Sequence, residues 1–215
     1  MRCYLCGSRE RLTDDHIPPK GFFPPPRPSN LITVPCCEAC NASYSKDDEA
    51  VRAWMSSTIF TSPAGEWIFK NKTMGTFRNS PAFLSKFLST MQPAKLTTVE
   101  DGIIDAISFE LPFDRIERFA LRITKGLLTH YFPDYDYSTA AFRIDFIEPR
   151  VDALEEIAPL RDLLAYDQRG DGVFQFRMGL TDSKQSGVWL LVFYGAVMLL
   201  VSHTKNAWGK TSPSR

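Results

Sequence analysis

The spacing of apolar residues predicts an α-helix that begins near Asn41 and ends near Thr58. Its apolar positions recur three and four residues apart, as they do on one face of a helix: Val51, Trp54, Met55, Thr58 and Ile59. The acidic cluster at 47–49 could instead mark a new helix start at Ser45, in the manner of a capping box. The pattern therefore predicts helix here, with two candidate starting points.

The segment upstream of this helix reads as strand and extended loop. Residues 9–17 alternate weakly between polar and apolar, which predicts a short hairpin whose second strand carries Asp15 and His16. Six prolines between Pro18 and Pro28 exclude helix and central strand there and favour a stiff, extended chain. Residues 30–34 form a further short strand. Hairpin, extended loop and helix thus follow one another in ββα order.

Beyond residue 60 the patterns predict a larger unit of mixed helices and antiparallel strands. The turn-forming cluster 62–65 is the expected boundary. The predicted helices and strands are, in order, helix 81–91, two strands in 95–111 around the turn at Asp101-Gly102, helix 114–131, strand 140–147, helix 151–164, and strands in 173–180 and 187–203. We therefore predict an α+β chain with two domains, residues 1–60 and 61–215.

Composition narrows the class of protein. The chain has 44% apolar and 23% charged residues, typical of a folded globular protein, and 25 basic residues balance 25 acidic ones. A neutral chain is not a general polyanion binder, so any contact with nucleic acid would need local charge. No signal peptide is visible, and the apolar run 188–201 is shorter than the roughly 20 residues of a membrane helix. We expect a cytoplasmic protein in which this run is buried strand.

All five cysteines lie in the first 40 residues, which favours metal ligation over disulfides. Two Cys-x-x-Cys pairs supply the four thiolates that a structural zinc ion needs: Cys3, Cys6, Cys37 and Cys40. Cys36 could replace Cys37, but the spacing of Cys37 matches the first pair, so we interpret Cys36 as a free buried thiol. A zinc ion with four thiolates has no open position and cannot activate water itself.

An acid, an imidazole and an amide lie between and beside these cysteines. The unperturbed pKa of an imidazole suits a general base at neutral pH, which makes His16 the candidate, although a histidine that caps a turn or joins the zinc shell would look the same. The carboxylate of Asp15 and the amide oxygen of Asn41, next to Cys40, suit a hard cation such as Mg²⁺ or Mn²⁺. Asp14 competes with Asp15 for that role.

Four stretches of the chain carry a family resemblance: Cys-x-x-Cys, Asp-His-Ile-Pro-Pro-Lys, Ser-Asn-Leu-Ile-Thr-Val-Pro and Cys-x-x-Cys-Asn. Taken together, they resemble the HNH endonucleases, the ββα-metal nucleases with a treble-clef-like zinc site. The resemblance covers about residues 3–54. It implies that His16 activates the attacking water, that Asp15 and Asn41 hold the catalytic cation, and that Asn30 braces the loop bearing His16. Many members have a second histidine on the helix, where this chain has Asn41.

Local positive charge is predicted in the second domain. Lys70 and Lys72 lie in a stretch without acidic residues. Four further cations would share one face of helix 114–131: Arg115, Arg118, Arg122 and Lys125. They could form a ridge that tracks phosphates, or simply a solvated helix face. The strands in 188–201 could instead build the sheet of a homodimer.

These observations favour a metal-dependent endonuclease that hydrolyses DNA, with RNA as another substrate class that the residues allow. The competing hypothesis is a non-catalytic zinc-knuckle adaptor that binds nucleic acid or protein. The two differ in geometry: a nuclease needs Asp15, His16 and Asn41 to converge on one water-accessible point, whereas an adaptor does not.

Overall fold

A computed structural model describes residues 1–98, 102–147, 157–160, 164–182 and 185–205. Helices and antiparallel strands are mixed along the chain. In order they are β1 (Leu12–Ile17), β2 (Ile32–Cys37), α1 (Glu38–Ser43), α2 (Ser45–Ser56), α3 (Pro63–Ile68), α4 (Met74–Asn79), α5 (Pro81–Ser89), β3 (Met91–Thr98), β4 (Gly102–Phe109), α6 (Phe113–Tyr131), β5 (Ala141–Ile147), β6 (Ala165–Arg169), β7 (Phe174–Leu180), β8 (Ser186–Phe193) and β9 (Val197–Thr204).

The N-terminal strands pair differently from the predicted hairpin. β1 pairs in antiparallel register with β2, across the proline-rich segment, so that Asp15 lies opposite Val34 and His16 opposite Thr33. The prediction of a hairpin confined to residues 9–17 was therefore wrong. Within the proline-rich segment the chain makes one short 3₁₀ turn, Lys20–Phe22.

Two helices, α1 and α2, replace the single predicted helix 41–58. α1 ends before Tyr44, and α2 begins at Ser45, the alternative start that the acidic cluster suggested. The predicted turn at 62–65 is instead a helix start: the side chain of Ser62 accepts a hydrogen bond from the backbone N–H of Gly65, and Pro63 takes the first helical position. α3, a π turn (Phe69–Thr73) and α4 follow without a break, and the sequence patterns missed them.

Five strands form the main sheet, in the order β5-β9-β8-β7-β6 with antiparallel neighbours throughout. The apolar run 188–201 supplies most of β8 and β9, as predicted, and their side chains are largely buried. Because both strands have a neighbour on each side, they cannot also be the edge of a dimer sheet. That part of the homodimer hypothesis was wrong. β6 was not predicted.

The predicted strands around Asp101-Gly102 and the helix 114–131 are present as β3, β4 and α6. Of the predicted helix 151–164, residues 157–160 are helical and most of the remainder lies outside the described residues. Among the described residues, no helix has the length and apolar character needed to cross a membrane.

The two predicted domains share one hydrophobic core. Ile17 and Phe22 from the N-terminal segment pack in the same cluster as Phe119 of α6 and Phe193 of β8. β1 and α6 come close together at Gly126 of α6, where an added Cβ would lie 2.5 Å from side-chain atoms of Ile17. β1 is therefore anchored directly against α6.

Candidate metal centre and acid-base site

The four predicted cysteines meet at one point because two local turns direct them there. Gly7 has a positive φ of 75°, and its backbone N–H donates to the carbonyl of Cys3, so the first pair folds back on itself. Cys37 ends β2 and occupies the N-cap of α1, where its sulfur accepts from the N–H of Cys40. The end of β2 and the first turn of α1 thus present the second pair.

The distances between the four sulfur atoms fit a metal ion with tetrahedral coordination. All four sulfurs lie within 4.8 Å of one another, and those of Cys6 and Cys37 are 3.7 Å apart. Zinc–sulfur bonds of about 2.3 Å in a tetrahedron place the sulfurs about 3.8 Å apart. The cluster can therefore hold a metal ion such as zinc, with every coordination position filled by protein. Cys36 is outside it: this buried thiol lies 3.9 Å from the sulfur of Cys3, and burial raises its pKa.

Asp15 points into the protein. Its side chain is 3% exposed. One oxygen accepts from the Arg122 Nη2 at 2.6 Å, and the other accepts from the Arg122 Nε at 3.1 Å and from the Tyr4 hydroxyl at 2.7 Å. The carboxylate is thus occupied by a guanidinium and a phenol. These residues do not fit the expected role of Asp15 as a ligand of a hydrated Mg²⁺ or Mn²⁺.

Arg122 is the centre of this network and not part of a surface ridge. Its side chain is 1% exposed, its Nη1 donates to both oxygens of Asp48 at 2.7 Å, and its guanidinium lies 4.8 Å from the centre of the Tyr44 ring. Burial alone would lower the pKa of Arg122, but hydrogen bonds to Asp15 and the charges of Asp48 and Asp15 raise it. The prediction that Arg122 contacts nucleic acid was wrong.

His16 and Asp14 lie on the other face of β1, because successive side chains of a strand point to opposite sides. His16 is half-buried and its imidazole makes no hydrogen bond to the described residues, whereas Asp14 is exposed and has no partner among them. Partial burial lowers the pKa of His16, and the positive charge of Lys20 acts in the same direction. We call this side, with Asp14 and His16, the outer face of β1.

Asn41 and Asn30 do not join His16. The Asn41 amide donates to the hydroxyl of Thr13 at 3.3 Å, and Thr13 shares the inner side of β1 with Asp15. Asn30 is exposed, and its side chain makes no hydrogen bond to the described residues, so it does not brace the loop as expected. Asp15, His16 and Asn41 therefore do not converge on one water-accessible point.

Most of the other residues that were predicted to contact nucleic acid have partners within the protein. Arg115 and Arg118 lie 3.6 and 3.1 Å from the carboxylate of Asp47. Lys70 pairs with Glu66. Lys125 lies over the ring of Phe142, and burial lowers its pKa. Lys72 donates from its ammonium to the carbonyl of Gly21, in the turn that follows β1, at 3.3 Å.

Sequence reasoning missed the partners of Asp15 and of Arg122. Tyr4 looked like a spacer between two cysteines, and Asp48 looked only like a helix-start residue. One signal was available: Arg122 immediately precedes Ile123 and lies three residues after Phe119, both of which are apolar positions of α6. A cation so close to the apolar stripe can lie in the protein interior when a buried carboxylate pairs with it.

Comparison of the chain with protein-family models, with curated proteins and with solved structures found no match. The local geometry and the sequence motif are therefore the basis for assigning a function.

We expect the purified protein to carry one zinc ion per chain, measurable by elemental analysis. Cys40→Ser should abolish this stoichiometry and lower the unfolding temperature, because a closed site contributes its binding free energy to folding. Cys36→Ser is the matched control and should retain the metal. Loss of zinc from both variants, or from neither, would contradict the four-cysteine assignment.

Arg122→Met should reduce the free energy of unfolding by about 3–5 kcal/mol, because it leaves the carboxylates of Asp15 and Asp48 buried without their cation. Arg118→Met, at a position on the same helix that is 54% exposed, should change it by less than about 1 kcal/mol. Urea denaturation of both variants measures the difference. Equal losses would show that the buried network does not stabilise the fold.

Proposed function

We propose that this protein is a zinc-stabilised nuclease of the HNH type, in which β1, β2 and α1 form the treble-clef-like ββα module and His16 is the general base. One observation carries the proposal: the imidazole of His16 is half-buried and makes no hydrogen bond to the described residues, and it lies on β1, the strand that pairs with β2 beside the four-cysteine cluster. The motif that resembles the HNH endonucleases supports it.

In the proposed reaction, His16 accepts a proton from a water molecule as that water attacks the phosphorus of a phosphodiester. The bond between phosphorus and the 3′ oxygen breaks, and that oxygen takes up a proton from solvent, which leaves 5′-phosphate and 3′-hydroxyl ends. A zinc ion held by the four cysteines would act only on geometry, because four thiolates leave it no coordination position for water. Its reduced thiolates suit a reducing compartment such as the cytoplasm.

The position of the catalytic cation changes under this proposal. Both oxygens of Asp15 are occupied by Arg122 and Tyr4, and the Asn41 amide donates to Thr13 on the inner side of β1, so neither residue faces His16. Asp14 is an exposed carboxylate on the same face as His16. Mg²⁺ commonly binds through one or two carboxylates, waters and substrate phosphates, so Asp14 is the residue that would hold it. A bound cation would stabilise charge developing on the phosphate.

The second candidate is a non-catalytic zinc module that binds nucleic acid or protein. A specific observation favours it: the acid and the amide that HNH nucleases would use are turned away from His16, and the acid is sealed by Arg122. In this case the Asp-His-Asn set would be structural.

Cleavage of supercoiled plasmid DNA in the presence of Mg²⁺ or Mn²⁺ separates the two candidates. We expect His16→Ala to reduce the rate about 10²–10⁴-fold, the usual contribution of a general base. His130→Ala, which removes an exposed imidazole on α6, is the matched control and should leave the rate unchanged. Equal rates for wild type and His16→Ala, or no cleavage of plasmid, single-stranded DNA or RNA, would favour the adaptor.

The acid that holds the cation can be identified by comparing Asp14→Asn with Asp15→Asn. Asp14→Asn should raise the Mg²⁺ concentration needed for half-maximal cleavage and leave the urea midpoint unchanged. Asp15→Asn should reduce the unfolding free energy by about 2 kcal/mol, because it weakens charge-assisted hydrogen bonds. If Asp14→Asn cleaves with unaltered Mg²⁺ dependence, Asp14 is not the ligand.

A further inference from the structure

Four cationic side chains gather around the short turn that follows β1. Arg27 donates from its Nε to the carbonyl of Lys20 at 3.3 Å, and Lys72 donates to the carbonyl of the next residue, Gly21, also at 3.3 Å. Arg52 approaches the same residue from α2. We call this group the cationic turn; its members are Lys20, Arg27, Arg52 and Lys72.

Gly21 makes this gathering sterically feasible. A Cβ added there would lie 3.0 Å from the Nη1 of Arg52, which is tighter than ordinary van der Waals contact. The absence of a side chain lets the guanidinium reach the backbone of the turn. Three segments that are distant in sequence therefore bring their positive charges to one residue.

The charges of the cationic turn are poorly neutralised. Among the described residues, Lys20, Arg27 and Lys72 have no acidic partner within ion-pair distance, and Arg52 has only Glu49, at 4.0 Å. The side chain of Arg52 is 14% exposed. Its Nη2 donates to the hydroxyl of Thr76 at 3.3 Å, and its buried Nε makes no hydrogen bond to the described residues. Burial lowers the pKa of Lys72, and the charges of Arg52 and Arg27 lower it further, which reflects this crowding of cations.

Crowded cations with unused donors attract anions, and phosphate suits them. Guanidinium groups bind phosphate oxygens through paired N–H donors, and lysine adds a compact point charge. The turn begins four residues after His16, and the charges of Lys20 and Arg27 are close enough to lower the pKa of its imidazole.

We propose that the cationic turn is a seat for the phosphates of a nucleic-acid backbone beside His16, an inference that rests on the proposed nuclease function for its choice of ligand. The cationic turn binds the nucleic acid through its phosphates, so it confers affinity without reading bases. It also replaces the predicted ridge on α6 as the surface that grips the substrate.

Binding and cleavage can be separated by measuring affinity in a His16→Ala background. Fluorescence anisotropy with labelled duplex DNA, single-stranded DNA and RNA of equal length gives the affinity at several salt concentrations. We expect Arg27→Ala/Lys72→Ala to weaken binding about tenfold or more for at least one of these nucleic acids. The salt dependence on duplex should become shallower by about 1.8 in log–log slope, since each lost phosphate contact contributes about 0.9.

The matched control is Arg78→Ala/Lys86→Ala, which removes the same two charge types from exposed positions in α4 and α5. It should leave affinity and slope unchanged, and Arg27→Lys/Lys72→Arg should recover most of the affinity by retaining the charges. Circular dichroism melts of each variant exclude unfolding as the cause of weaker binding.

Equal weakening in both charge-removal variants would overturn the phosphate seat, and so would no weakening or a parent that binds none of the three probes. The nuclease proposal fails independently. If the seat variants lose binding while the protein with its native His16 cleaves nothing, the seat stands on a non-catalytic binding module. If the native protein cleaves and the seat variants bind normally, the seat alone is wrong.

Discussion

The buried pairing of Arg122 with Asp15 and Asp48 joins the two halves of this protein. An arginine in the interior is costly unless its charge and its N–H donors are satisfied, and here two carboxylates and the ring of Tyr44 meet those needs. Since Asp15 lies on β1, Asp48 on α2 and Arg122 on α6, the ion pairs hold three elements in one register. Tyr4, between two cysteines, extends the network to the metal centre.

This network also decides which side of β1 can react. Strand geometry sends Asp15 and His16 in opposite directions, and the side that carries Asp15 is closed by α6 through Arg122 and the contact of Ile17 with Gly126. What remains accessible is the outer face, with Asp14 and His16. The HNH-like motif predicts a metal cation between β1 and α1. On the inner side of β1 the structure has the guanidinium of Arg122 instead.

The four-cysteine cluster and the cationic turn have complementary effects on that outer face. A metal ion in the cluster would tie the N-terminal turn to the start of α1, next to the end of the β1-β2 pair where Leu12 lies opposite Cys37. The cationic turn lies at the other end of β1, where positive charge from the proline-rich segment, α2 and the π turn accumulates around Gly21. Under the proposed function, His16 lies on a strand between the candidate metal site and the phosphate-binding turn.

The sequence by itself determined the local features of this protein. Paired Cys-x-x-Cys spacing identified the four cysteines that can hold a metal ion, periodicity located α6 and β3 to β5, and the acidic cluster gave the start of α2 as an alternative, because these features depend on neighbours within a few residues. Only the tertiary structure decided that β1 pairs with β2, that Arg122 is buried and that Asp15 is sealed. Asp15 and Arg122 lie 107 residues apart, and in a helix pattern a charged residue bordering the apolar stripe looks solvent-exposed until the packed chain supplies its partner.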